Sequence, residues 1–487
     1  MRRLLPPILA AALLGGLALA PIASAPTAVA QVPDARPNIV VLMTDDQTLR
    51  SMWAMPRTRA LIGEPGATFA NAFVTNPRCC PSRATFLTGQ YSHNHGVLTN
   101  GPPLGGWPRL RGTTNWLPTW LRRSGYRTAH VGKFLNHYGR VAPREVPAGW
   151  DEWHATVDPT TYRYYNYTVN ENGELRHYGR EPRHYATDFT TRRSAEIIER
   201  LAPRPEPFFL STAFLAPHTG GPWEPGDPID LGTPAVAERH RDAFPFVTLP
   251  RSPAFNELDV SDKPRSIRRP FIGAGRMPVL ESLHRQRLQS LLAVDEGVER
   301  IVETLRATGE LERTLLIFVS DNGYLLGEHR LATGKGKVYD AASRVPLLMR
   351  GPGVPAGTRP AQLVNNTDLA ATIVDAGRAR PGRILDGLSL LRLARDPTLA
   401  TGRPVLLEVA KGPGFKTTAV RTRRWLYAEH RDGSRELYDL AIDPDQLDSH
   451  HADPAYAVVR ARLARQLREL RHCRGAGCRV PGRATTR

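Results

Sequence analysis

Four short apolar runs in this chain each pass straight into charged or amide side chains, and few folds accept such a pattern. Asn38-Ile39-Val40-Val41-Leu42-Met43 leads to Asp45-Asp46, and Leu315-Leu316-Ile317-Phe318-Val319 leads to Asp321-Asn322-Gly323. Thr128-Ala129-His130-Val131 leads to Gly132-Lys133, and Phe208-Phe209-Leu210-Ser211-Thr212-Ala213 leads to Ala216-Pro217-His218. Continuous β-branched and aliphatic runs of this length belong to strands covered on both faces, as in a parallel sheet. Ligands bind beyond the carboxyl ends of such strands, so the four polar clusters are expected to converge on one crevice. Between strands the pattern turns helical. Leu288, Leu291, Leu292, Val298, Ile301, Val302 and Leu305 repeat at helix spacing until Gly309, which makes an αβ unit with the strand at Leu315.

The residues at the strand ends point to oxygen chemistry. Asp45, Asp46, Asp321 and Asn322 are hard oxygen donors, suited to Ca²⁺ or Mg²⁺ and not to zinc or copper. Taken singly, an Asp-Asp or Asp-Asn-Gly at a strand end is a common cap or turn. Their partner in sequence is Cys79-Cys80-Pro81-Ser82-Arg83. Pro81 favours the first turn of a helix, which sets position 79 just before a helix N-terminus. There the helix dipole and Arg83 would stabilise an anionic oxygen on residue 79; the plain alternative for Cys79 is a buried, inert thiol. Lysine is scarce, with six among the 65 basic residues, which gives weight to Lys133 and Lys335 as point charges for an anion. Lys337 competes with Lys335 for that role, and a solvated surface lysine is the ordinary alternative for each.

With 487 residues the chain has room for about three domains, or for one large α/β core with a smaller companion. Met1-Arg2-Arg3, an Ala/Leu-rich run to Ala20, and the small residues up to Ala25 and Ala30 have the parts of a secretory signal peptide over residues 1–30. A retained anchor competes with that reading, but Pro6, Pro7 and Pro21 break the run. The expected mature chain is therefore exported and not stably inserted in a membrane. Cys473 and Cys478, separated by a loop carrying Gly475 and Gly477, are expected to bridge in an oxidising compartment, with a zinc site as the competing reading. The net charge of +18 favours polyanionic ligands, although arginine dominance also fits a codon bias. Export and the absence of a recognition motif argue against nucleic acid. Residues 219–280, rich in Pro and Arg, read as a long excursion lining a cleft, or else as a disordered insert.

Cys79 to Gly89 reads in register with the modification signature of formylglycine-dependent sulfatases over eleven positions, Cys79-Cys80-Pro81-Ser82-Arg83-Ala84-Thr85-Phe86-Leu87-Thr88-Gly89. Together with Thr44-Asp45-Asp46-Gln47, Tyr91-Ser92-His93-Asn94-His95, Gly132-Lys133-Phe134-Leu135-Asn136, Tyr165-Asn166-Tyr167-Thr168-Val169 and Ser320-Asp321-Asn322-Gly323-Tyr324, it resembles the type I sulfatases. Within them it is most similar to the N-acetylglucosamine-6-sulfatases and extracellular heparan endosulfatases. The tail from Cys473 to Arg479 is similar to that of the glucosamine-6-sulfatases.

The resemblance implies an α/β, alkaline-phosphatase-like fold: a large mixed, mostly parallel sheet sandwiched by helices. A smaller C-terminal domain would hold a short antiparallel sheet and a helix from about Ala455 to Arg471. The implied boundaries are 36–395 for the catalytic domain and 396–487 for the smaller one. The resemblance further implies that a formylglycine-generating enzyme converts Cys79 to 3-oxoalanine, whose hydrate is the nucleophile. Asp45, Asp46, Asp321, Asn322 and residue 79 would hold Ca²⁺, with Mg²⁺ the alternative. Arg83, Lys133, Lys335 and His218 would serve the sulfate, with His218 the general acid for the departing alcohol. Many sulfatases carry a histidine two or three residues after the lysine; here Leu135 and Asn136 stand there, with His137 a remaining candidate base. The implied substrate is a sulfated carbohydrate or aryl sulfate. Two rivals are a phosphate or phosphonate monoester hydrolase of the same superfamily and a non-catalytic binder of sulfated glycan.

Overall fold

A computed structural model describes residues 35–412 and 414–479; the expected signal peptide, residues 1–30, lies outside them. The four apolar runs are strands, labelled β1 (Asn38–Thr44), β2 (Arg127–Gly132), β3 (Phe208–Ala213) and β4 (Thr314–Ser320). They form the parallel centre of a nine-stranded sheet in the spatial order β4-β1-β3-β2. Antiparallel neighbours extend the sheet at both margins: Leu347–Arg350 beside β4, and Tyr167–Glu171 and Glu174–Tyr178 beyond the parallel strand Glu152–Thr156.

The absence of alternation in these runs has the expected cause. Ile39, Val41, Met43, Leu315, Ile317 and Val319 enter one apolar cluster, while Val40, Leu42, Leu316 and Phe318 enter another on the opposite face. Each face has its own helices. α1 (Cys79–Thr88) contributes Ala84, Phe86 and Leu87 to the first cluster. α2 (Ala186–Leu201) and α3 (Met277–Ala307) contribute Phe189, Ile197, Ile198, Val294, Val298 and Ile301 to the second. The helical spacing in sequence begins at Leu288, yet α3 starts at Met277, because its first turns carry Pro278 and polar residues that mask the period. Residues 219–276 hold only two single 3₁₀ turns, Glu238–His240 and Ala274–Arg276, and isolated bridges such as Gly220 with Pro234.

The smaller antiparallel sheet runs Val405–Ala410, Phe415–Arg421, Trp425–His430, Arg435–Asp439 in sequential order. One face (Val405, Leu407, Leu426, Tyr438) packs on Phe73, Val338 and Tyr339. The other (Leu406, Val420, Tyr427) receives Leu463, Leu467 and Leu470 from the helix Ala457–Leu470. Cys473 and Cys478 are disulfide-bonded, and the loop is clasped to the segment after α1: Asn94 Nδ2 donates to the Cys473 carbonyl at 3.0 Å, and the His93 ring lies 2.9 Å from it.

Gly132 ends β2 with φ +97°, and a Cβ there would stand 2.0 Å from the Ala213 carbonyl oxygen. A Gly132→Ala variant combines left-handed strain with overpacking against backbone, about 2–5 kcal/mol together. It is expected to lower the thermal midpoint by several degrees and to displace Lys133. Differential scanning calorimetry alongside activity checks this, and an unchanged midpoint refutes it.

Candidate active site

The register levels the strand ends: Thr44 pairs with Ser320, Met43 with Ala213, and Ala213 with Gly132. The residues that follow therefore emerge at one edge of the sheet. Backbone and side-chain bonds lace β1 to β4 there, with Asp321 N donating to the Thr44 carbonyl (3.1 Å), Asp46 N to Asp321 Oδ1 (3.2 Å) and Gln47 N to Ser320 Oγ (2.9 Å). Asp46 turns the chain at φ +67°, a region that aspartate tolerates better than most residues. Asp45, Asp46, Asp321 and Asn322 are thus set side by side, all at most 2% exposed.

Cys79 arrives from the helix side. It is the first residue of α1, one place further into the helix than the sequence indicates, and Pro81 stands third. The first turn lacks intrahelical acceptors for its N–H groups, so proline fits there as readily. Cys79 Sγ lies 3.2 Å from Asp45 Oδ1 and 4.0 Å from Asp46 Oδ1. Ligand atoms of Asp45, Asp46, Cys79 and His218 all fall within 4.8 Å of one another. Cys80 points elsewhere, into the apolar cluster with Ala84 and Phe86, and serves packing.

Three cations ring this group. Arg83 Nε donates to Asp321 Oδ2 (2.7 Å), Nη1 donates to the Lys133 carbonyl (2.6 Å), and Nη2 faces Asp45 at 3.6 Å. Lys133 pairs with Asp45 and stands 4.4 Å above the Tyr162 ring. Lys335 pairs with Asp46 and approaches Cys79 Sγ at 2.7 Å. Burial alone would raise the Asp45 carboxyl, yet Lys133, His218, Lys335 and Arg83 hold it well below the usual carboxylate range. Burial and then Asp45 push the Asp321 carboxyl up to about 6, and the same two causes push the Cys79 thiol up.

His218 Nδ1 lies 2.6 Å from the Thr219 carbonyl and therefore carries the proton, which leaves Nε2 facing Asp46 at 3.6 Å. The sequence suggests an imidazole titrating near neutrality. Burial, only partly offset by Asp45 and Asp46, lowers it to about 4, so the ring is neutral at pH 7. Asn136 donates to the Tyr162 hydroxyl, while its Oδ1 is buried with no partner. The His137 ring is turned to the glycine loop, 2.7 Å from where a Cβ on Gly101 would stand. Lys337 lies on the far side of Gly336, in a cleft that Lys335 also lines.

Sequence reasoning overlooked two supports. Arg287 on α3 donates to the Asp46 and Pro217 carbonyls and lies 4.2 Å from the Tyr324 ring centre, so it braces the turns that carry Asp46 and His218. No local signal marks it, since Arg285, Arg300 and Arg306 stand on the same helix. Tyr162 carries Lys133 on its face and stacks obliquely on His218, with centroids 4.8 Å apart. It sits in a loop with no local pattern to mark it.

Residues 37–378 match the family described as Sulfatase, and residues 327–473 match the N-sulphoglucosamine sulphohydrolase C-terminal family. The chain is 35% identical to human N-acetylglucosamine-6-sulfatase over 501 residues, covering 92% of this chain and 86% of that one. It is 34% identical to an arylsulfatase of Volvox carteri, covering 92% and 76%. Among solved structures, BT4656 in complex with its substrate D-glucosamine-2-N,6-O-disulfate superposes with a TM-score of 0.72 at 23% identity, covering 92% of this chain and 100% of that one. A phosphonate monoester hydrolase of Agrobacterium radiobacter shares the fold at TM-score 0.64 and 23% identity, covering 90% and 95%. A buried cysteine at the head of a helix, an oxygen-rich cage and a ring of cations at one sheet edge, together with these matches, establish that the chain belongs to the sulfatase family of sulfuric ester hydrolases.

Proposed function

We propose that this sulfatase is a secreted enzyme that cleaves sulfate monoesters on sulfated sugars, 6-O-sulfated N-acetylglucosamine among them. In this reading a formylglycine made from Cys79 and a divalent cation do the chemistry. The carrying observation is the convergence of Cys79 with Asp45, Asp46 and His218 inside a ring of three cations. The N-terminal leader pattern, and relatives named as extracellular sulfatases, support export. No described helix is long and apolar enough to cross a membrane.

The residues present fit a hard divalent cation. Asn322 Oδ1 is buried with no hydrogen-bond partner, as a carbonyl oxygen kept for a metal would be, while its amide donates to Asp46 Oδ1 at 2.6 Å. Asp45, Asp46, Asp321 and Asn322 would hold the ion with residue 79; Ca²⁺ is the proposed ion and Mg²⁺ the alternative. The cation would supply polarisation of sulfate oxygens, and a formylglycine hydrate would supply the attacking hydroxyl. A dedicated formylglycine-generating enzyme is the implied maturation partner.

Charge explains why the protein side chains are chosen as they are. Asp45, Asp46 and Asp321 balance Arg83, Lys133 and Lys335, so a divalent cation adds a net +2, which matches one sulfate monoester and one alkoxide. Lys133 and Lys335, each already beside Asp45 or Asp46, hold sulfate oxygens without needing to leave their carboxylates. Arg83, gripping Asp321 and the Lys133 backbone, fixes where the nucleophile helix sits against the cage. His218 gives a proton to the departing alcohol. Its imidazolium gains stability when the anionic ester faces Nε2, which offsets the burial that keeps the ring neutral otherwise.

Mass spectrometry of the residue 79 peptide from the native host, with turnover of matched sulfate, phosphate and phosphonate monoesters, tests the proposal. Formylglycine with selective sulfate turnover supports it. A full-occupancy thiol sinks the nucleophile assignment, and preference for phosphonate transfers the site to the rival hydrolase.

A further inference from the structure

Lysine is the scarcest charged residue of this chain, yet four of the six lysines line one cleft. Lys335, Lys337, Lys411 and Lys416 wall it with Arg78 and Arg269, around a volume of about 680 Å³. Small-molecule sites commonly measure about 300–1,000 Å³. Lys335 also touches Cys79 Sγ, and Arg78 is the residue before Cys79, so the cleft begins where the active site ends. Gly336 makes the junction. Its φ is +71° and a Cβ there would stand 2.9 Å from the Arg78 guanidinium, so the loop crosses that cation closely while sending Lys335 and Lys337 to separate tasks.

Lys335 is paired with Asp46, but the other five cations have no carboxylate partner among the described residues. Among the described residues, no Asp or Glu oxygen lies within 4 Å of Lys337, Lys411, Lys416, Arg78 or Arg269. Arg239, by contrast, is paired with Asp188 and Glu296. Arg78 Nε is buried with no hydrogen-bond partner. The one carboxylate lining the cleft, Glu436, is already engaged by His430 (2.6 Å), Tyr339 (2.8 Å) and Tyr438 (2.5 Å). Asp432, which acts on Lys416 from further away, accepts from Ser434 N and Oγ. Burial, then crowding by Lys416, Arg269, Arg78 and Lys411, lowers the Lys337 ammonium to about 8. Like charges held together this way are relieved by an anion from outside.

We propose that this cleft is a second anion subsite, which takes a sulfate or carboxylate group carried by the same acidic glycan whose sulfate ester meets Cys79. The proposal deepens the sulfated-sugar reading and rests on it: the substrate class becomes a glycan with at least two anionic groups, one cleaved and one held.

The test compares kcat/KM for a 6-O-sulfated, uronate-containing oligosaccharide with kcat/KM for 4-nitrophenyl sulfate, in wild type and in Lys416→Gln/Arg269→Gln. The ratio of the two is expected to fall at least tenfold in the variant, through KM, and to lose part of its salt dependence. Lys416→Arg alone is expected to keep the ratio. A ratio within twofold of wild type overturns the subsite. Calorimetric titration of both proteins with a heparin-derived tetrasaccharide gives an answer independent of turnover. Tenfold weaker binding by the variant upholds the subsite, and equal affinity overturns it. If wild type binds that tetrasaccharide but hydrolyses neither ester, the hydrolase reading fails and the subsite stands.

Discussion

Cys79→Ala is expected to lose turnover by about 10⁴–10⁶-fold, the scale seen when a covalent nucleophile is removed, while the thermal midpoint shifts by only a few degrees. The asymmetry follows from where the sulfur sits. Its contacts are polar ones, to Asp45, Asp46 and Lys335, and they belong to the site and not to the apolar clusters. Deleting it leaves Asp45 with Lys133 and Arg83, and Lys335 with Asp46. Stopped assays on a sulfate ester and calorimetry on the same preparation measure both quantities. Residual turnover within tenfold of wild type would remove Cys79 from the chemistry. Cys80→Ala serves as the contrast: that side chain packs with Ala84 and Phe86, so its loss is expected to affect stability more than rate.

Asp45→Asn is expected to do the reverse of a quiet substitution. Asp45 is fully buried and receives Lys133, Arg83, Lys335 and the Cys79 thiol. Neutralising it strands cations whose own burial it offsets. Breaking a buried pair by removing one partner costs about 3–5 kcal/mol. It also removes a carboxylate from the proposed cation cage. The expected results are a Ca²⁺ affinity weakened by two or more orders of magnitude in calorimetry, turnover reduced about a thousandfold or more, and a midpoint lowered in chelator. If chelator leaves wild-type turnover intact and Asp45→Asn binds Ca²⁺ as tightly, the cation has no place in the mechanism.

The parallel centre of the sheet could be read from the sequence because both of its faces are covered, which leaves Val40 and Val41, or Leu316 and Ile317, apolar without alternation. The strand ends were legible for a related reason: polar residues directly after such runs have only one edge of the sheet to occupy. Arg287 and Tyr162 were not legible, because their roles arise from contacts with residues far away in sequence. Arg287 acts on a carbonyl 241 positions away, and nothing local to α3 distinguishes it from a solvated arginine. The two-residue strand Ala67–Thr68 was equally hidden, since it exists by pairing with Leu348 and Met349 and has too few side chains to carry a period. The state of His218 depends on the depth of its surroundings, which residue spacing does not encode.

The depth of Cys79 sets an order of events during synthesis. Its side chain is 0% exposed, at the start of a helix packed beneath strands that pair only when residues 38, 208 and 314 have all been made. Any enzyme that is to alter this thiol has to reach it while the segment is still extended, before β1 finds β4. Sheets assembled from such distant segments close slowly, because the loop entropy is lost before the contacts form. In the proposed reading, the topology that hides Cys79 therefore also grants the interval in which it can be converted, and mutations that hasten collapse are expected to yield well-folded but inert protein.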